Sequence, residues 1–173
     1  RIEDNAFYGC TNLVNFYLPD SVRYIGAGAF ADCSSLTGIV IPQGVREIGA
    51  SSFNHCSSLT AIVIPNSVER IDEGAFSGCS NLREIVIQEG MKEVEIRRHA
   101  FAFCENLTSV SIPANVTRID ERSNVEIRMG VPNGIRQNIF EECNNLKNIC
   151  VVKDSYAEER LRLYGYGNIL VLN

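Results

Sequence analysis

The run Ile25-Gly26-Ala27-Gly28-Ala29-Phe30-Ala31-Asp32-Cys33-Ser34-Ser35-Leu36-Thr37-Gly38-Ile39-Val40-Ile41-Pro42 decides the fold, because the chain repeats it. Cys10, Cys33, Cys56 and Cys79 stand 23 residues apart; Cys104 follows after 25 and Cys143 after 39. Each has a phenylalanine three residues before it (Phe7, Phe30, Phe53, Phe76, Phe101, Phe140) and a leucine three residues after it (Leu13, Leu36, Leu59, Leu82, Leu107, Leu146). Val22, Val45, Val68 and Val116 repeat in phase as well, with Ile25, Ile48, Ile71 and Ile119 three residues on. Chance does not hold so many positions in register, and a fixed period of this length is the signature of stacked repeats.

Each segment of the unit has a physical reading. Leu-x-x-Ile-x-Ile is rich in β-branched residues, so it is a short strand. Pro19, Pro42, Pro65 and Pro113 stop it, since proline has no N–H for a ladder. Ala-Phe-x-x-Cys-x-x-Leu has i, i+3 spacing, which suits a helical or 3-10 turn on the opposite side. One unit cannot bury its own apolar edge, so neighbours stack about 4.8 Å apart into a continuous core. The expected architecture is an α/β repeat: a curved solenoid with one parallel sheet, short helical or 3-10 turns on the convex side and a helical C-terminal cap. Residues 1–152 hold the repeats and 153–173 the cap.

The units resemble the BspA-like, or Treponema pallidum-type, leucine-rich repeats, on the pattern from Ile25 to Pro42 and its copies at Ile48 and Ile71. The resemblance implies a cell-surface or secreted protein, adhesion-like, that binds extracellular or host-surface macromolecules, protein or glycan. No cofactor is expected.

Composition narrows the remaining classes. The 173 residues are 45% hydrophobic and carry a net charge of −5, which excludes a disordered acidic tail and argues against a nucleic-acid partner. No apolar run approaches the roughly 20 residues of a membrane span. The first residue is Arg1 and falls inside a repeat, which suggests a fragment of a longer protein. A monomer is expected, with an edge-stacked dimer through the first rung as the alternative.

The period breaks in three places. The fifth unit has two extra residues, read near Glu93–Arg98, and Gln88 where others have proline. The sixth has 16 extra residues between Ile119 and Ile135. There Val125, Ile127, Met129 and Val131 alternate with Glu126, Arg128 and Gly130, which suggests an added strand before a turn at Pro132-Asn133-Gly134. Arg122, Arg128 and Arg136 make this insertion basic and a candidate contact. After Val151, Asp154 to Tyr164 reads as a helix capped by Asp154 or Ser155, stopped at Gly165 and followed by a last strand in 168–173. A cap of this kind implies a natural end.

No residue pattern points to catalysis. The motifs H-E-x-x-H, G-x-x-x-x-G-K-[ST], G-x-S-x-G and G-x-G-x-x-G are absent, and His55 and His99 sit at different phases. The six repeat cysteines read as a buried column of thiols. Cys150 falls at an outward strand position and is the candidate reactive thiol. Asn106-Leu107-Thr108 and Asn115-Val116-Thr117 fit a glycosylation pattern, though Asn106 also fills the position that bonds the turn before each repeat leucine.

The candidate site is the outward strand face, set by period-two alternation. One column is Asn15, Gly38, Ala61, Glu84, Ser109 and Asn148; the other is Tyr17, Val40, Val63, Val86, Ser111 and Cys150. The second column is apolar for a solvated sheet, which marks a macromolecular contact. The ligand-binding expectation rests on Tyr17, Val40, Val63, Val86, Asn15, Glu84, Ser109, Ser111 and Arg128. The flanking charges, among them Arg46, Glu47, Glu69 and Arg70, read as a solvated ion-pair lattice. A structural spacer that presents another domain is the alternative function.

Overall fold

The alternating β-branched segments form strands where expected, and a second set forms beside them. In the computed structural model, which describes residues 1–119 and 139–173, the chain coils as a parallel-strand solenoid of about six turns with little helix. One face carries β1 (Asn15–Tyr17), β3 (Gly38–Val40), β5 (Ala61–Ile64), β7 (Glu84–Ile87), β9 (Ser109–Ile112), β11 (Asn148–Val151) and β12 (Leu170–Leu172). The other carries β2 (Tyr24–Ile25), β4 (Glu47–Ile48), β6 (Arg70–Ile71), β8 (Val94–Ile96) and β10 (Val116–Ile119).

The expectation of one parallel sheet is therefore corrected. β10-β8-β6-β4-β2 form one five-stranded sheet, β12-β11-β9-β7-β5 another, and β1-β3 a separate pair. The second-face strands are as short as two residues, too short to form alone. They exist because each Val-x-x-Ile segment is stacked on its copies, with Ile25, Ile48, Ile71 and Ile96 in register.

The expected helical or 3-10 turn is also corrected. N–H groups alternate between two uses: Ala29, Ala31 and Cys33 bond back three residues within the turn, while Gly28, Phe30 and Asp32 donate to Ala50, Ser52 and Asn54 of the next rung. A 3-10 helix would keep every N–H for itself. The alternation requires left-handed residues at two phases, seen at Gly28 (φ 62°) and Asp32 (φ 59°) and at their copies Gly74, His55, Gly78 and Phe103.

The core is a set of columns. Phe30, Phe53 and Phe76 are fully buried and stack at centroid separations of 5.3 and 5.1 Å, tilted by 2° and 5°. Leu36, Leu59, Leu82 and Leu107 and the Ile25-to-Ile119 column close around them. The Phe column continues through the sixth unit, with Phe101 and Phe140 at 5.9 Å. The expected added strand and turn at 125–134 lie outside the described residues, as does Arg128.

The fifth unit's extra residues lie earlier than expected. Ile87 and Ile96 are nine residues apart where Ile64 and Ile71 are seven apart, and the excess falls at the exposed corner 88–93, before β8. The matching bulge appears in β10, whose Thr117 has no counterpart between Val94 and Glu95.

Past β11, Ser155 accepts a bond from the Glu158 N–H and caps α1 (Tyr156–Leu163), while Glu158 accepts from the Asp154 N–H at 2.7 Å. Ala157 and Leu161 are its buried side chains, and the helix packs against β10. β12 then adds in parallel to β11 after a 3-10 turn at Gly167–Ile169. Among the described residues, no helix is long and apolar enough to cross a membrane.

Candidate binding face

Parallel registry brings the two outward columns together on one face. Asn15 pairs with Gly38 and Tyr17 with Val40. Ala61 pairs with Glu84, Val63 with Val86, Glu84 with Ser109, and Val86 with Ser111. Ser109 continues to Asn148 and Ser111 to Cys150. Of the expected site residues, all but Arg128 thus lie on one strand face.

Exposure is uneven along it. Tyr17 and Val40 are each 76% exposed and Val63 49%, while Val86, Ser111 and Cys150 are half-buried. The apolar character therefore concentrates over the first three rungs. Glu84 is the one charged residue in the two columns. A groove of about 1070 Å³ lies over β3 and β5.

The second face has the opposite chemistry. Glu47, Arg70 and Glu95 stand in register across β4, β6 and β8, so their charges alternate in sign. Arg70 pairs with Glu47, which holds its guanidinium charged, and Lys92 meets Glu69 at 2.5 Å. The Lys92 ammonium holds the Glu69 carboxyl below its ordinary range. These charges are partnered, as a solvated lattice should be.

The thiols are placed differently from the reading in two respects. Cys33, Cys56, Cys79, Cys104 and Cys143 are buried and uncrosslinked, but Cys10, in the chain's first rung, is exposed. Cys150 is half-buried because it lies in register between Ser111 and Val171. Each buried thiol donates to the phenylalanine carbonyl of the preceding rung, such as Cys56 to Phe30 at 3.1 Å and Cys79 to Phe53 at 3.2 Å. That bond was not foreseen; the constant Phe-x-x-Cys phase was the signal for it. Burial pushes the Cys56 thiol up to about 12.

The amide side chains serve the turns. Asn106 donates to the Ser80 carbonyl at 2.8 Å and Asn145 to that of Glu105 at 2.8 Å. His99 meets Glu141 at 2.9 Å. Among the described residues, no three His, Cys, Asp or Glu side chains are grouped to hold a metal ion.

Comparison with known proteins agrees with this geometry. A family model described as a BspA-type leucine-rich repeat region, six copies, matches residues 1–126. A leucine-rich repeat protein of T. pallidum has 33% identity and TM-score 0.71; the match covers 95% of this chain and 76% of that one. One from Bacteroides ovatus has 32% identity and TM-score 0.67, over 87% of this chain and 37% of that one. The pneumococcal vaccine antigen PcpA, at 17% identity, TM-score 0.65, 92% of this chain and 41% of its own, shares the fold. No curated protein matches. By repeat model, identity and coil geometry, the chain belongs to the BspA-type leucine-rich repeat family.

Proposed function

We propose that this chain is a non-catalytic binding module of a cell-surface or secreted protein, and that it recognises a protein ligand through the strand face. The observation that carries the reading is the contrast between its two faces. Tyr17, Val40 and Val63 are exposed and uncharged, whereas the charges of the second face are tied in pairs. Exposed apolar patches on repeat scaffolds mark contact surfaces. Residues 1–152 supply the face, and 153–173 close the end of the core as a cap. The insertion around Arg128 is a second contact candidate.

The test is a binding-kinetics panel of extracellular-matrix and plasma proteins, run with the wild type and a Tyr17/Val40/Val63→Glu variant whose melting is unchanged. Saturable binding lost in the variant supports the strand face. Binding that survives shifts recognition to the insertion, and no saturable binding favours the spacer.

A further inference from the structure

The strand face is parted at one place. β3 and β5 are neighbours in space, yet β3 pairs with β1 and β5 with β7. Among the described residues, no strand ladder joins β3 to β5. The rungs do not separate behind the seam, since β4 still pairs with both β2 and β6 and Phe30 stacks on Phe53. The groove of about 1070 Å³ lies over this seam. Strand backbone without a ladder partner needs donors and acceptors from elsewhere.

The lining chemistry selects the occupant. Ile39, Val40 and Val63 supply apolar surface, and Thr37, Thr60, Gln43 and Gln88 supply neutral groups that donate and accept. Asp20 is the one charged lining residue, so an anionic ligand finds no cation there. The Gln43 amide donates to the Gln88 amide at 3.0 Å across 45 residues of sequence, at the exposed surface. A peptide group presents the same donor and acceptor and can replace either partner at little net cost. The volume is just above the roughly 300–1,000 Å³ typical of ligand pockets, enough for several residues.

We propose that the seam between β3 and β5 binds a short, extended, uncharged peptide segment of a protein partner. Its branched apolar side chains lie over Ile39, Val40 and Val63. Its backbone amides engage Thr37, Thr60 and the Gln43–Gln88 pair. Backbone bonds supply affinity and the apolar contacts supply selectivity, as when a peptide adds to an open strand. The proposal rests on the strand-face reading.

Gly38 provides the test, since a Cβ there meets nothing within 4 Å and Gly38→Gln fills the groove without strain. Thr11→Gln, at an exposed turn outside both strand faces and the groove, is the control. The probes are fluorescein-labelled, capped heptapeptide pools alternating Val, Ile or Leu with Ser, Thr, Asn or Gln. Two comparison pools carry Lys or Glu at the polar positions, and maltotetraose and cellotetraose represent neutral glycans. The neutral peptide pool should bind saturably, about ten-fold more weakly to Gly38→Gln and unchanged to Thr11→Gln. No saturable binding of that pool, equal binding by Gly38→Gln, or tighter binding of a charged pool overturns the proposal. So does a tetrasaccharide that binds where the peptides do not. A protein ligand lost in the Tyr17/Val40/Val63→Glu variant but kept by Gly38→Gln overturns the seam alone and leaves the strand face standing.

Discussion

The Tyr166 ring meets the Phe140 ring edge-on, with centroids 5.8 Å apart at 90°, and its hydroxyl donates to the Phe140 carbonyl at 3.3 Å. Within the repeats these two jobs belong to different residues. The next phenylalanine continues the stack, and the next cysteine takes the carbonyl, as Cys143 takes that of Phe101 at 3.1 Å. Tyr166 does both at the end of the column.

Two Tyr166 variants separate those jobs. Tyr166→Phe keeps the ring contact and loses the hydroxyl bond, so urea unfolding should show a loss of about 1 kcal/mol. Tyr166→Ala also uncovers Phe140 and should lose about 3 kcal/mol, with faster amide exchange in β11. Equal losses for the two variants would mean that the ring contact contributes nothing.

How much of this was legible depended on whether each position was repeated or singular. The Leu36, Ile39, Ile41, Phe30 and Cys33 columns recur in nearly every rung, so their burial could be read from phase alone. The second sheet was not, because Tyr24-Ile25 carries almost no strand signal by itself and is held by registry with Glu47-Ile48. The left-handed turn phases were half visible. Gly28 and Gly74 mark one, and Gly9 and Gly78 the other, but Asp32, His55 and Phe103 at the second phase disguise the pattern. The two outward columns followed from alternation. The seam did not, since Gly38-Ile39-Val40 and Ala61-Ile62-Val63 read alike and Gln43 meets Gln88 only through the coil.

Ser52 breaks the column of Ala29, Ala75 and Ala100. It is fully buried, and its Oγ has no hydrogen-bond partner among the described residues. An unmet buried hydroxyl costs roughly 1–3 kcal/mol. Ser52→Ala should therefore raise stability by about 1 kcal/mol, read as a higher urea midpoint at unchanged slope. A lower midpoint would show that the hydroxyl has a partner in solution.

Gly28→Ala should act in the opposite direction. Gly28 has φ 62°, and a Cβ built on it falls 2.3 Å from Asn5 Oδ1. Left-handed backbone costs a Cβ-bearing residue about 1–2 kcal/mol, before the Asn5 side chain moves. Thermal melts should fall by several degrees; an unchanged melt would mean the turn relaxes to negative φ. Asn5→Gly in the same background should recover the part due to the side-chain clash.

The buried thiols give the chain an alkaline limit. Burial raises the Cys56 thiol from 9.0 to about 12 and pushes Cys79 in the same direction, and Cys104 is raised by the adjacent Cys143 thiol together with burial. A raised folded-state value means that the unfolded chain releases its protons first. Their contribution to stability is then whole below pH 9 and is lost as pH rises toward 12. The urea midpoint should fall from pH 9 upward, with a shallower slope in a Cys56→Ala/Cys79→Ala variant that has lost two of the titrating groups. An identical slope would assign the alkaline loss to other groups, such as the Tyr24 hydroxyl, which burial also pushes up. The same burial orders chemical reactivity, because alkylation needs an accessible thiolate. At pH 8 iodoacetamide should label the exposed Cys10 first and the half-buried Cys150 more slowly. Cys33, Cys56, Cys79, Cys104 and Cys143 should react only at the rate of unfolding. Labelling of Cys56 at the pace of Cys10 in the native protein would show that the thiol column opens locally, and the stacked phenylalanine carbonyls would then not be holding it.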